Sequence, residues 1–398
     1  MIIQPIIKGQ VAKSCHPIGC GKAVADQIDY VRQARQIEAG PKKVLVLGAS
    51  SGFGLASRIS LAFGGANADT IGVAFERGPS DRGVGTAGWY NLIQFKQEAE
   101  KQGLVAKNFV GDAFSPDMRR SVADYIKTEF GGSVDLVVYS LATGVRPDPK
   151  TGELIRSSIK TVGEPMTGYT VNLEKDCLEE SVLEAASEQE IADTVKVMGG
   201  EDWEEWIDFL SGEGVLANGC QTLAYSYIGS DITYQIYHEG TLGHAKTHLQ
   251  ATADKLDAKL KAVGGQAHVA VCKALITKAS VFIPAFSPYI LALFKVMKDM
   301  GLHEGCIEQM QRLYVDCIYQ ADGEVRVDEH RLVRVDDWEL REDVQQKVRA
   351  ILDKMTPDNF KTLGDYEGYK TDFMKLNGFG LDHVDYAQDV DLEILRKG

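Results

Sequence analysis

An apolar run that breaks into a glycine-rich turn, KKVLVLGASSGFG at positions 42–54, restricts this chain more than any other feature. Val44, Leu45, Val46 and Leu47 make a short, partly β-branched run that stops at Gly48, as a central parallel strand does where it enters its crossover. Gly48, Gly52 and Gly54 allow the backbone to turn tightly and to approach a diphosphate, whose charge is met by unpaired amides at the start of the next helix. Ala49 and Phe53 lie within the same turn, and Ser50 and Ser51 add hydroxyl donors.

The segments that follow repeat the theme. TIGVAFE (70–76), VAKNFVGDAF (105–114) and VDLVVYSLA (134–142) read as further buried strands, each followed by a helical pattern. Strands alternating with helices at this spacing predict an α/β fold with a doubly wound parallel sheet, a Rossmann fold. The G-x-x-x-G-x-G spacing of the turn makes it the short-chain reductase variant. Ligands of such sheets bind at the carboxyl ends of the strands, here marked by Glu76, by Asp112 with Ala113, and by Leu141 with Ala142. Regular alternation fails between about 143 and 218, which reads as an insertion near the active-site edge, with helices over 188–198 and 202–210. It resumes with CQTLAYSYIG, a long helix over 241–263 and the strand HVAVCKALIT. No repeat or Pro/Ser-rich linker interrupts the chain. The expected organisation is one compact unit over 1–398, with a Rossmann core over 41–300 and a mostly helical extension over 301–398.

Composition narrows the partners. With 44% hydrophobic and 25% charged residues the chain is globular, and a net charge of −14 disfavours nucleic acid. A strongly anionic substrate would need a local basic cluster that the total conceals. Seven scattered cysteines, at 15, 20, 177, 220, 272, 306 and 317, fit a reducing compartment, and no zinc-type ligand spacing accompanies Cys15, His16 and Cys20, so no metal is expected. MIIQPIIKGQ is not a secretory signal, which makes the cytoplasm the expected location. The most apolar stretch, 279–294, is short for a membrane span and contains Pro284 and Pro288; it reads as a buried helix with an irregular start, or as the lining of a pocket for an apolar substrate.

Reductive chemistry enters with Tyr237 and Lys246. A phenol with a reference pKa near ~10 is a weak acid at neutral pH unless a neighbouring ammonium favours its ionised form. At roughly 100° per residue, nine steps place two side chains on opposite sides of a continuous helix. Gly240 and Gly243 in the intervening HEGTLGHA allow Tyr237 to sit on a loop, with Thr241 as N-cap and Lys246 on the helix that follows. Tyr225, Tyr227 and Tyr234 compete for the role, with core or rim packing as their alternative. Glu76, about twenty residues beyond the last glycine, is placed to accept hydrogen bonds from the adenosine ribose and to repel a 2′-phosphate, which favours NADH over NADPH, although adjacent Arg77 could offset that repulsion. A ketone-reducing short-chain dehydrogenase and a non-catalytic dinucleotide sensor fit the same turn.

End to end, the chain resembles the FabV-type trans-2-enoyl reductases, which act on enoyl-CoA or enoyl-acyl carrier protein thioesters. The likeness is carried by CHPIGC, VLVLGASSGFGLASRI, GWYN, DLVVYSLA, VKVMGGEDWEEWI, LAYSYIGSDITYQIYHEGTLGHAK, LFKVMKDMGLHEGCIEQMQRLY, DDWEL and LNGFG. It implies Tyr237 as proton donor and Lys246 as its partner in the Y-x8-K signature, and Tyr227 as a second active-site tyrosine that binds substrate. It further implies cofactor contacts at Gly48–Phe53, Phe75, Glu76, Asp112, Ala113, Leu141, Ala142, Lys246, Leu275, Ile276 and Thr277. An NADH-dependent monomer that saturates enoyl thioesters, the last reductive step of fatty-acid elongation, is the expectation that follows.

Overall fold

The computed structural model describes residues 1–81 and 83–391. Its centre is a seven-stranded parallel sheet: β1 (Lys43–Leu47), β2 (Asp69–Ala74), β3 (Ala106–Val110), β4 (Val134–Tyr139), β5 (Leu216–Ser226), β6 (Gln266–Val271) and β7 (Leu332–Arg334). The spatial order is β7-β6-β5-β4-β1-β2-β3, with every neighbouring pair parallel. Strand order therefore reverses between β1 and β4, and a doubly wound sheet opens its ligand crevice at that reversal.

Both faces of β1 are buried, which is why the sequence there is a continuous apolar run instead of an alternating one. Val44 and Val46 join one core layer with residues of the Pro17–Gln33, Gly52–Phe63 and Cys306–Leu313 helices. Leu45 and Leu47 join the opposite layer with residues of the Pro116–Thr128, Glu201–Gly212 and Thr241–Leu260 helices. A third cluster surrounds the Ser287–Asp299 helix. It takes in Val344 and Val348 of the Glu342–Leu352 helix, Tyr366, Tyr369 and Phe373 of the Tyr366–Lys375 helix, and Tyr237 itself. The apolar stretch 279–294 becomes a single 3-10 turn at Ser280–Phe282 followed by this helix; among the described residues no helix is long and apolar enough to cross a membrane.

The segment between β4 and β5 carries two antiparallel hairpins, Val145–Pro147 with Leu154–Arg156 and Met166–Asn172 with Cys177–Leu183, and then two helices. The Glu188–Met198 helix starts at a capping box made by Ser187 and Glu190. The Glu201–Gly212 helix contributes Trp203, Trp206, Ile207 and Leu210 to the sheet-covering layer, so it serves as the β4–β5 crossover. The stretch after residue 301, expected to be mostly helical, is helical over less than half of its described residues and also supplies β7, a three-residue strand too short for its sequence to announce.

Candidate active site

Gly48 closes β1 with φ at +88°, and a Cβ there would stand 2.3 Å from the Ser140 carbonyl oxygen. Gly52 starts the next helix at φ +55°, and a Cβ on Gly54 would meet the Gly48 carbonyl oxygen at 2.1 Å. Side chains are thus excluded from the turn by contact as well as by backbone conformation. Ser51 is the N-cap and makes no capping hydrogen bond, which leaves the first amides of the helix without a side-chain partner. These features fit a dinucleotide diphosphate. Glu76 stands beside the turn and accepts from Ser50 Oγ at 2.6 Å, while Asn91 Nδ2 donates to the Ser50 carbonyl oxygen at 2.9 Å. Gly88, in GWYN, lets its helix approach: a Cβ there would lie 2.0 Å from Glu76 Oε1. Phe75 is 83% exposed at the end of β2, an apolar shelf of the kind an adenine covers.

A cavity of about 810 Å³ opens along the carboxyl ends of the central strands. Phe53, Leu141, Ala142, Tyr227, Tyr237, Lys246, Leu275 and Thr277 line it. Gly48 to Gly52, Phe75, Glu76, Asp112 and Ala113 do not; they lie on the turn or at the neighbouring strand ends. The two groups meet at Gly52, where a Cβ would be 3.7 Å from Thr277 Cγ2, and at Gly48, where it would be 3.2 Å from the Leu141 amide nitrogen. Ile276 packs into the third core cluster instead of the cavity. Asp112 Oδ1 accepts from the Phe114 amide, and the Ala113 carbonyl accepts from Trp206 Nε1, so both are held by local and crossover contacts.

Four tyrosines line the cavity, and their hydroxyls separate them. Tyr139 donates to Asp202 Oδ2 at 3.1 Å. The Tyr225 hydroxyl is shared with Ser57 Oγ at 2.5 Å and with Tyr314 at 3.0 Å. Tyr227 donates to Glu339 Oε1 at 2.8 Å. Tyr237 alone among them has no side-chain hydrogen bond to a described residue. Its ring is packed edge-to-face on Tyr227 with centroids 4.5 Å apart and tilted on Phe286 at 4.8 Å. Tyr234, the remaining competitor, lies on the surface stacked on His238.

Two local expectations are corrected. Tyr237 ends a one-turn helix, Tyr234–Tyr237, instead of lying on a loop. The N-cap of the following helix is Gly240, not Thr241; Thr241 is the first helical residue, and its hydroxyl donates to the Ser158 carbonyl oxygen at 2.6 Å and accepts from the Lys160 amide, fastening the insertion to the helix. The groups that shift the Tyr237 phenol are others than Lys246. Burial, and then the charge of Glu339, hold the Tyr237 phenol well above its ordinary range. Lys246 is buried too, its Nζ donating to the Tyr225 carbonyl oxygen at 3.3 Å, and desolvation brings it down to about 8.

Glu339 is the residue that sequence reasoning missed. Within DDWEL nothing distinguishes it from a solvated acid, yet it is fully buried. Its Oε1 accepts from Tyr227 and, at 2.7 Å, from Tyr289, and its Oε2 accepts from the Ala274 amide at 2.6 Å. Burial raises its pKa. Lys273, also buried, lines the cavity, donates to the Glu304 carbonyl oxygen at 3.2 Å and is brought down to about 8 by desolvation.

Residues 83–319 match the trans-2-enoyl-CoA reductase catalytic region, residues 2–81 the NAD(P)H binding domain of trans-2-enoyl-CoA reductase, and residues 327–390 an enoyl reductase FAD binding domain. An enoyl-acyl-carrier-protein reductase (NADH) 2 of Photobacterium profundum is 68% identical over 99% of each chain. A trans-2-enoyl-CoA reductase (NADH) of Clostridium beijerinckii is 54% identical over 100% of this chain and 99% of its own. Among solved structures, the trans-2-enoyl-CoA reductase of Clostridium acetobutulicum in complex with NADH superposes with a TM-score of 0.97 at 51% identity, covering 100% of this chain and 99% of that one. The 327–390 segment does not fit a flavin. Its helices bury Val344, Val348, Phe360 and Tyr369 in the core, and β7 runs into DDWEL, not into a glycine-rich turn and helix.

Proposed function

The chain belongs to the trans-2-enoyl-CoA reductase family, and on that premise we propose that it reduces the 2,3 double bond of trans-2-enoyl thioesters, carried on coenzyme A or acyl carrier protein, with NADH. NADH, when bound, supplies hydride to the β-carbon. The chain's residues then hold the reactants and manage one proton. The amides after Ser51, with Gly48, Ala49, Ser50, Gly52 and Phe53, would hold the diphosphate. Phe75, Glu76, Asp112 and Ala113 would hold the adenosine, and Leu141, Ala142, Leu275, Ile276, Thr277 and Lys246 the nicotinamide end. Tyr237 is the proton donor to the enolate oxygen. A buried phenol kept protonated suits that task, since a hydrogen-bond donor aimed at developing charge is usually a large catalytic term.

The observation that carries this reading is the uncommitted Tyr237 hydroxyl in a cavity where the hydroxyls of Tyr139, Tyr225 and Tyr227 are engaged. Tyr227 lines the substrate space with its ring, its proton being given to Glu339. The test is Tyr237→Phe. Turnover of an enoyl-CoA should fall by about 10²-fold to 10³-fold or more while NADH affinity stays within a few-fold. Undiminished turnover in that variant would refute the assignment, and reduction of 3-oxo thioesters in preference to 2-enoyl ones would favour the ketone-reducing alternative. The accompanying proposals are a cytoplasmic monomer acting in fatty-acid elongation, one working unit over 1–398, with residues 41–300 as core, 143–218 as insertion and 301–398 as extension. The last seven residues lie outside those described.

A further inference from the structure

We propose that a cationic cleft beside the cavity, lined by Lys13, Arg77 and Lys278, receives the phosphate groups of the thioester's carrier, an inference that rests on the enoyl-thioester reading above. The chain carries a net charge of −14, yet no Asp or Glu lines this cleft of about 290 Å³. Its cations come from three distant stretches: the residue after the Val11–Ala12 strand, the loop after β2 and the loop after β6. Three arginines elsewhere in the fold are neutralised, while Lys246 and Lys273, which line the cavity, are buried and donate to backbone carbonyls. Arg146 pairs with Glu201 and Glu205, Arg119 with Asp202, and Arg312 with Glu304. Lys13, Arg77 and Lys278 make no salt bridge to a described residue. Three uncompensated cations converging on one concavity of an acidic protein form a local field that attracts a multiply charged anion.

Continuity with the reaction site supplies the second argument. Lys278 and Phe282 line both the cavity and the cleft. Val281, Phe282, Phe373 and Leu376 make the cleft's apolar side, over which an uncharged linker can pass. An acyl thioester has this order of parts: an apolar chain, the reacting carbonyl, a neutral pantetheine arm and then phosphate. The diphosphate of the cofactor is already matched by the Gly48–Gly54 turn. Phosphate here has two sources, the nucleotide of coenzyme A and the phosphodiester that joins pantetheine to a carrier protein.

The experiment compares the parent enzyme with the triple variant Lys13→Gln, Arg77→Gln, Lys278→Gln at saturating NADH. Three probes share one acyl group: crotonyl-CoA, crotonyl-4′-phosphopantetheine and the phosphate-free crotonyl-N-acetylcysteamine. The KM for crotonyl-CoA should rise on the order of tenfold, from the loss of up to three exposed charge pairs. KM for the N-acetylcysteamine ester and the Kd for NADH should stay within about twofold; retained turnover of that ester also reports a folded enzyme. An equal rise for the phosphopantetheine ester assigns the cleft to the phosphate common to both carriers, and a rise confined to crotonyl-CoA assigns it to the nucleotide. Equal changes for all three thioesters, no change for any, or a matching loss of NADH affinity each overturn the proposal. If the parent enzyme reduces none of the three, the enoyl-thioester reading itself falls, and the cleft proposal with it.

Discussion

Two buried ionisable groups decide how the cavity behaves, and each can be perturbed alone. Lys246 is held near 8, against 10.5 for an ordinary lysine, because its ammonium is desolvated. The folded chain therefore gives up this proton before the unfolded chain does. Between about pH 8 and 10.5 the unfolded state binds more protons, so stability gains from this group as pH rises through that window. Lys246→Met should melt at a higher temperature than the parent at pH 7, with the gap closing toward pH 10 in a thermal scan. The same titration removes the cation proposed to hold the nicotinamide ribose. NADH affinity of the parent, measured by fluorescence titration, should weaken through about pH 8, and that of the Met variant should be weak and flat; a parental affinity unchanged up to pH 10 would exclude this role. Glu339→Gln leaves one acceptor oxygen for the hydroxyls of Tyr227 and Tyr289 and sets an amide donor against the Ala274 N–H or against those hydroxyls. A hydrogen bond to a buried charged group is worth about 1.5–3 kcal/mol. Urea unfolding should show a loss of that order, and turnover should fall more than NADH affinity, because the wall of Tyr237 loosens. A variant as stable and as active as the parent would show Glu339 to be dispensable.

At the scale of elements, the β1 turn and the helix after it act as one device. Period-two burial on both faces of β1, a positive φ at Gly48 and close passage of Gly54 under the Gly48 carbonyl are all written in thirteen residues. Gly54→Ala puts a methyl group 2.1 Å from that carbonyl oxygen, and the turn must open. NADH affinity should drop more than tenfold and the melting temperature should fall, both measurable by titration calorimetry and thermal shift; wild-type affinity would mean that the turn does not grip the diphosphate. The Tyr237 element was less legible. Its glycines announce a break between Tyr237 and Lys246, but the one-turn helix and the Gly240 cap depend on Thr241 finding Ser158 and Lys160 in the insertion, more than eighty residues away in the chain. No local signal encodes that contact.

Over the whole molecule, the segment after β6 completes both the sheet and the cavity. β7 caps the sheet edge, the Glu342–Leu352 and Tyr366–Lys375 helices close the third core, and Glu339, from the loop between β7 and the first of these helices, accepts from the Tyr227 hydroxyl. A segment used this way is committed to the fold's own core. NADH at a hundred times its dissociation constant should stabilise the fold by about 2.7 kcal/mol and raise the melting temperature accordingly, whereas FAD at equal concentration should leave it unchanged. A FAD-dependent shift would reverse that conclusion. What the sequence determined by itself was the alternation of strands and helices, the dinucleotide turn and the residue types at the strand ends, because each rests on periodicity and backbone conformation within a few neighbours. The tertiary structure alone decided which tyrosine keeps a free hydroxyl, which carboxylate is buried behind its neighbour, the direction in which the phenol's acidity is shifted and where three scattered cations converge. Those properties depend on desolvation and on contacts between residues far apart in the chain, and neither is a function of local sequence.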